Sequence, residues 1–425
     1  MNLLIIIIFI LGYAAIAFEH PLRINKTASA LLTGVLCWMV YILYSSDRNL
    51  VSEQLYEHFG QISGILFFLL GAMTIVEIID AHDGFDVITS KIKTKDKRVL
   101  LWIISTVTFF LSSVLDNLTT TIVMVSLLRK LIRDKETRLF FVGMVVIAAN
   151  AGGAWTPIGD VTTTMLWIGG QITTLNIMSH LILPSLICLV VPLLFLSFKI
   201  KGTVESSEIS KDSLQKNTSS FEQKLILGLG IGALMFVPVF KTITDLPPFM
   251  GILFGVGVLW LVTEIIHKHK DQKEKDSYSV VSALQKADVP SVLFFLGILV
   301  AISALDSTHI LSNLAVYMDK NIGNLDIIVI SIGLLSSVID NVPLVAATMG
   351  MYDMQTFPTD HYFWKFIAYC AGTGGSCLII GSAAGVAAMG MEKIDFFWYM
   401  KKITLLALLG YLAGAFFFIA QESII

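Results

Sequence analysis

Ser112-Ser113-Val114-Leu115-Asp116-Asn117-Leu118 recurs, with two conservative changes, as Ser336-Ser337-Val338-Ile339-Asp340-Asn341-Val342. The second copy lies 224 positions after the first (340 − 116), about half of the 425-residue chain. Each copy sets an aspartate and an asparagine between two apolar runs. A charge at the centre of a bilayer costs about 2.5–3.5 kcal/mol even on insertion-derived scales. Two such phrases half a chain apart are expected to meet and to bind something between them.

The rest of the composition agrees with a membrane setting. The chain is 55% hydrophobic and 14% charged, against about 25% charged in a soluble domain, and its mean hydropathy is +0.79. This predicts an all-α polytopic protein in a lipid bilayer. The net charge of −3 carries no message, because membrane proteins sort charge by side. No nucleic-acid motif, Gly-rich phosphate loop, metal motif or nucleophile–base pair is present, so neither a nucleic-acid partner, a cofactor nor an enzyme is expected. Cys37, Cys188, Cys370 and Cys377 all sit in apolar runs and read as small packing residues. The first run, residues 2–18, has a signal-like Ala15-Ile16-Ala17, but no Lys or Arg precedes it while Arg23 and Lys26 follow. That polarity is wrong for a signal peptide, and a retained first helix is expected.

Full spans are readable at about 2–18, 27–45, 62–80, 138–168 and 177–199, and again at 222–240, 247–267, 288–305, 362–390 and 395–420. Between the third and fourth span of each set lies an interrupted apolar stretch, 99–133 and 325–354. The leading arms, 99–114 and 325–338, make helices of about 24 and 21 Å, short of a hydrocarbon core of about 30 Å. The expectation is two re-entrant hairpins with Asp-Asn at the tips, buried in protein or lining a wet cavity.

Loop charges give a sidedness. Residues 81–98 hold Lys91, Lys93, Lys95, Lys97 and Arg98, and 129–138 hold Arg129, Lys130, Arg133, Lys135 and Arg138. The first hairpin therefore enters from the cytoplasm. The linker around 199–224 and the loop 268–286 each carry five lysines and are inside; Lys393, Lys401 and Lys402 are inside again. The second hairpin is flanked only by Lys320 and Lys365 and enters from outside. Both termini fall outside. Five spans and one hairpin per half make the halves inverted repeats: 1–201, a cytoplasmic connector 202–221, and 222–425. Ile65-Leu66-Phe67-Phe68-Leu69 echoes Val292-Leu293-Phe294-Phe295-Leu296, and Asn150-Ala151-Gly152-Gly153 with Gly159 echoes Gly372-Thr373-Gly374-Gly375 with Gly381. Inverted repeats with paired broken helices are the layout of secondary transporters, with the substrate near the midplane.

The candidate ligands follow from these breaks. Asp116-Asn117 and Asp340-Asn341 read as helix caps, with Pro343 suited to a first helical turn. A neutral residue caps equally well, so the charge points to a bound cation. Hard cations take oxygen ligands: Asn117, Thr119, Thr120 and Asn341 offer them, and Ser112 and Ser336 support them. The break Asn150 to Asp160 adds Asn150, Thr156 and Asp160, with Gly152 and Gly153 and Pro157 freeing backbone carbonyls. Its counterpart adds Thr373, Gly374 and Gly375, but has Ser382 where the first has Asp160. Glu77 and Asp80 share a helix face; Asp80 and His82 read as interfacial anchors, and Glu77, one turn deeper, as a candidate proton or ion carrier.

Five runs carry a family resemblance: Phe18-Glu19-His20, Gly71-Ala72-Met73-Thr74-Ile75-Val76-Glu77, Leu115 to Thr121, Thr156 to Thr163, and Ile339 to Pro343. Over essentially the whole chain it resembles the NhaD-type sodium/proton antiporters of the ion transporter superfamily. The resemblance implies exchange of Na⁺ or Li⁺ for H⁺ across the cytoplasmic membrane, a homodimer, and an elevator motion of hairpins and broken helices against a scaffold of 2–18, 27–45, 222–240 and 247–267. A cluster of Asp116, Asp160 and Asp340 would then hold a proton near neutral pH and give it up for Na⁺. The alternatives are a Na⁺-coupled dicarboxylate carrier on the same scaffold, disfavoured because no Arg or Lys interrupts the central motifs, and a cation channel, disfavoured by hairpins that stop at the midplane.

Overall fold

The computed structural model describes residues 1–17, 19–92, 94–204, 218–269, 271, 275 and 278–424. Most of the connector, 205–217, lies outside the described residues, as do Phe18 of the resemblance and Lys93, Lys211, Lys216, Lys270 and Lys273 of the charge pattern. Among the described residues the secondary structure is helical, apart from one isolated bridge, Asp96 to Thr203. Eight helices among the described residues are long and apolar enough to cross a membrane, and the chain is a multi-pass membrane protein.

Most of the expected spans appear as helices with bounds shifted by a few residues; 395–420 is instead split at Ile403 into Phe396–Lys402 and Thr404–Glu422, and the first, Asn2–Ala17, is shorter than the eight. The helix Arg48–Ala81 is the largest difference. It begins fourteen residues (62 − 48) before its apolar window, because Asp47 caps it through the N–H groups of Asn49 and Leu50 and the polar residues that follow are good helix formers. At 1.5 Å per residue its 34 residues extend about 50 Å. Hydropathy marks only the part of a helix that needs lipid. Between the expected span 288–305 and the second interrupted stretch lies the amphipathic helix Ile310–Ile322, which buries Leu311 and Ala315.

Both interrupted stretches are helix pairs. The first is Lys97–Leu115 and Asn117–Leu131, broken at Asp116 alone. The second is Leu325–Leu335 and Asn341–Met351. The first arm is longer than expected: Asp96 caps it at Arg98 and Val99, so its 19 residues reach about 28 Å. By length and apolarity it is one of the eight potential spans, and shortness cannot mark this arm as re-entrant. The argument from length survives for the second pair, whose arms are 11 residues each.

The spans 138–168 and 362–390 are broken as expected, into Lys135–Gly153 with Val161–Ile168 and Tyr362–Gly374 with Ala383–Glu392. Each pair packs on the broken segment that follows it: Lys97–Leu115 on Lys135–Gly153, and Leu325–Leu335 on Tyr362–Gly374. The halves also interlock. Lys26–Tyr44 packs most extensively on Val289–Ser307, and Thr174–Lys199 on Thr404–Glu422. The Glu392 carboxylate accepts from Arg129 Nε at 2.6 Å and Arg138 Nε at 3.0 Å, which sets the ends of the first pair and the second broken segment side by side.

Candidate functional site

Glycine sets the close approach on which the site is built. A Cβ on Gly152 would stand 2.1 Å from the Phe109 carbonyl oxygen, and one on Gly374 would stand 2.0 Å from that of Gly333. Both contacts join a helix pair to its broken segment, and Phe109 and Gly333 are 224 positions apart. Hydroxyls repeat the pattern: Ser112 Oγ donates to the Ala149 carbonyl at 2.6 Å, and Ser336 Oγ to that of Ala371 at 2.8 Å. Gly153 and Gly375 close the breaks against the Gly159 and Gly381 carbonyls. These glycines and serines hold backbone to backbone.

The two Asp-Asn turns share a sequence but not a backbone. Asp116 has φ +83° and ψ 159°, a region that costs a non-glycine residue about 1–3 kcal/mol. Its carboxylate accepts from the Thr119 N–H and the Thr119 hydroxyl, both at 2.8 Å. The counterpart of Thr119 is Pro343, which has neither group. Asp340 therefore accepts from the Val342 N–H at 3.3 Å instead, with φ −47°, and the chain turns through residues 336–340 rather than at one residue. The capping reading of both aspartates holds, and in the second copy it leaves most of the carboxylate uncommitted.

Asp160 is the hub. It is 1% exposed and caps Val161–Ile168, with Oδ1 accepting from the Thr162 N–H at 2.9 Å and the Thr162 hydroxyl at 2.8 Å. Its Oδ2 accepts from Asn117 Nδ2 at 2.5 Å, and Asn341 Nδ2 stands 3.5 Å from both oxygens. Asn117 also donates to Asn150 Oδ1 at 3.1 Å, and Asn150 Nδ2 to the Ser382 hydroxyl at 2.9 Å. The repeated phrases thus meet through their asparagines, on a carboxylate supplied by the first break. Neither Asp116 nor Asp340 bonds to Asp160 among the described residues.

The other candidates divide. Thr120 is buried with a hydroxyl that has no partner among the described residues. Thr156 donates to the Ser113 carbonyl at 2.6 Å and pins the break to the first pair. Thr373 donates within its own helix, to the Tyr369 carbonyl. Thr119 lines a cavity of about 440 Å³ that also reaches Glu77, Asp80, Lys130 and Lys286. Glu77 is thus joined to the site by a cavity, not by contact. Asp80 is exposed there. His82, read as an interfacial anchor, is instead fully buried.

Sequence reasoning missed two participants. Ser382 was seen only as a substitute for Asp160, yet it bonds Asn150 across the halves. Lys26 was read only as a marker of polarity. It lines both the large cavity and a smaller one of about 80 Å³ with Tyr13, Glu19 and Asp340. A cation does approach the centre, from a segment remote in sequence from the central motifs.

A family profile described as a citrate transporter, CitMHS, matches residues 6–364. The chain belongs to this family, among its sodium/proton antiporters. It is 52% identical over 418 residues to "Sodium/proton antiporter 1" of Arabidopsis thaliana, covering 98% of this chain and 72% of that one. It is 50% identical to "Sodium/proton antiporter 2" of the same plant, over 98% and 99% of the two chains. To the "Na(+)/H(+) antiporter NhaD" of Vibrio cholerae it is 29% identical, over 96% and 89%. These family members are transporters by name, not enzymes.

Proposed function

We propose that the protein is a secondary transporter that exchanges Na⁺ for H⁺ at Asp160. The observation that carries the reading is the meeting of Asn117 and Asn341, one from each repeated phrase, on that buried carboxylate. Relatives about half identical to it are named sodium/proton antiporters. In the described arrangement the asparagines turn their amide N–H groups toward Asp160 and occupy its lone pairs. Na⁺ takes the place of those N–H groups when the amides turn their carbonyls inward, and Asn150, Thr120 and the partly free Asp340 complete an oxygen shell. A proton on Asp160 removes its charge and leaves only a weaker carbonyl ligand. One carboxylate therefore serves both ions in turn.

The finer reading follows from the same residues. The halves 1–201 and 222–425 are inverted repeats with both termini outside a cytoplasmic membrane, and the helix pairs 97–131 and 325–351 are re-entrant. Alternating access comes from sliding the rest of the chain, the helix pairs, the broken segments and Arg48–Ala81, against a scaffold of 2–17, 26–44, 220–244 and 248–266, in a homodimer. Li⁺, of like charge and hardness, is accepted as well. The test is pH change in proteoliposomes driven by Na⁺, Li⁺ or K⁺. Proton movement with Na⁺ and Li⁺ but not K⁺ is expected; none with any of them overturns the reading.

A second reading has a specific support. The family profile is described as a citrate transporter, and Lys26 supplies a cation beside Asp340. Under it the substrate is a carboxylate anion coupled to Na⁺. Labelled citrate uptake that requires a Na⁺ gradient, in vesicles that show no Na⁺-driven pH change, would select it.

A further inference from the structure

Away from the ion site, His82 and His267 face one another with 2.9 Å between their Nε2 atoms, and a Glu222 carboxylate oxygen lies 3.2 Å from His267 Nε2. The three are 0%, 2% and 7% exposed. One ligand atom from each lies within 4.8 Å of the others. They come from three helix ends: His82 follows Arg48–Ala81, His267 follows Pro248–Ile266, and Glu222 is in the first turn of Ser220–Thr244. The Tyr278 ring stacks on His267 at 5.0 Å.

Two imidazoles and one carboxylate form a donor set suited to zinc. The orientation of the rings agrees. His82 Nδ1 is 2.7 Å from the Ile78 carbonyl oxygen. That oxygen can only accept, so Nδ1 carries the proton, and Nε2 faces the cluster. A backbone carbonyl on the far nitrogen is the usual way in which a ligating histidine is held in its tautomer. Glu222 is held by a capping box with Ser219. Two nitrogens about 2.0–2.1 Å from a tetrahedral metal stand about 3.4 Å apart, so binding requires the imidazoles to open by about half an ångström.

We propose that His82, Glu222 and His267 bind a divalent transition metal, with Zn²⁺ the best match, and that the bound ion clamps three helix ends together. The clamp rests on the transport reading above, in which Arg48–Ala81 moves while the other two helices are scaffold. A metal that joins them holds the transporter in one state.

The test uses the full-length protein. Zn²⁺ is titrated by calorimetry in detergent, and Co²⁺ is followed by its visible absorption as a probe of tetrahedral ligation. One equivalent per chain is expected, weakened about tenfold or more in Glu222→Gln and in His267→Gln. Glutamine preserves the capping box, so Glu222→Gln removes the ligand charge without unmaking the helix start. In proteoliposomes, saturating Zn²⁺ is expected to slow exchange by the wild type and to spare Glu222→Gln. Absence of stoichiometric binding, or binding unchanged in both variants, overturns the site and leaves a proton-sharing histidine pair. Binding without slowed exchange overturns the clamp. If there is no Na⁺-driven exchange even without Zn²⁺, the transport reading fails, while calorimetry still decides the site.

Discussion

Asn117 Nδ2 lies 2.5 Å from Asp160 Oδ2, joining the turn of the first helix pair to the break of the segment that follows it. Removing the charge at this junction is the most direct test of the site. Asp160→Asn should abolish Na⁺-driven proton movement with expression intact. Asp116→Asn and Asp340→Asn, one step removed from the hub, should each weaken apparent Na⁺ affinity. Loss of one charged interaction of about 1.5–3 kcal/mol corresponds to roughly 10–150-fold. Wild-type exchange in all three variants would dismiss the assignment.

The strained backbone at Asp116 separates two roles of that residue. Asp116→Gly relieves the positive φ, whereas Asp116→Ala keeps the strain, and both lose the carboxylate. The glycine variant should be the more stable of the two, by about 1–2 kcal/mol, seen as a higher apparent Tm in matched detergent scans. Both should exchange poorly. Equal Tm values would argue against a strained turn.

Pro343 keeps most of the Asp340 carboxylate out of a local cap. Pro343→Thr restores the N–H and hydroxyl that Thr119 gives Asp116, and should draw the Asp340 carboxylate into a local cap. Apparent Na⁺ affinity should fall several-fold, by about 1 kcal/mol for one hydrogen bond, while the fold gains a cap. Unchanged half-saturation by Na⁺ would mean that Asp340 takes no part in binding.

Gly374 permits the contact with Gly333. Gly374→Ala places a Cβ about 2.0 Å from a carbonyl oxygen and should cost at least about 1–3 kcal/mol, read as lost expression or a lower Tm. Gly390→Ala, where a Cβ meets nothing within 4 Å, is the control and should be harmless. Similar behaviour of the two would show that the pair and the broken segment are less closely packed than described.

The proposed sharing of Asp160 by both ions fixes the sign of the pH effect. Protonation removes a ligand charge, so the Na⁺ concentration for half-maximal exchange should rise toward acid pH, with the maximal rate recovered at saturating Na⁺. By linkage, raising Na⁺ should lower the apparent proton affinity of the site. Measurements at fixed ionic strength across a pH series decide it. A flat half-saturation value would require separate sites for the two ions.

The all-α membrane class, the helix pairs, both broken segments and the polar centre were legible in the sequence. They follow from local chemistry: apolar runs of spanning length, Gly and Pro at breaks, and charges that hydrocarbon does not tolerate alone. Spacing also singled out Asp160, Asn117 and Asn341 as members of one centre. The tertiary structure decided which of them bond: Asp160 takes both asparagines, while Asp116 bonds Thr119 and Asp340 stands near Lys26. It also brought Ser382 to Asn150 and His82 to His267, pairs separated by 232 and 185 positions. Such pairings depend on how helices from the two halves pack, and no local pattern encodes them. The identical Ser-Ser-Val phrases even turn differently, because the deciding residues, Thr119 and Pro343, lie outside the repeated phrase.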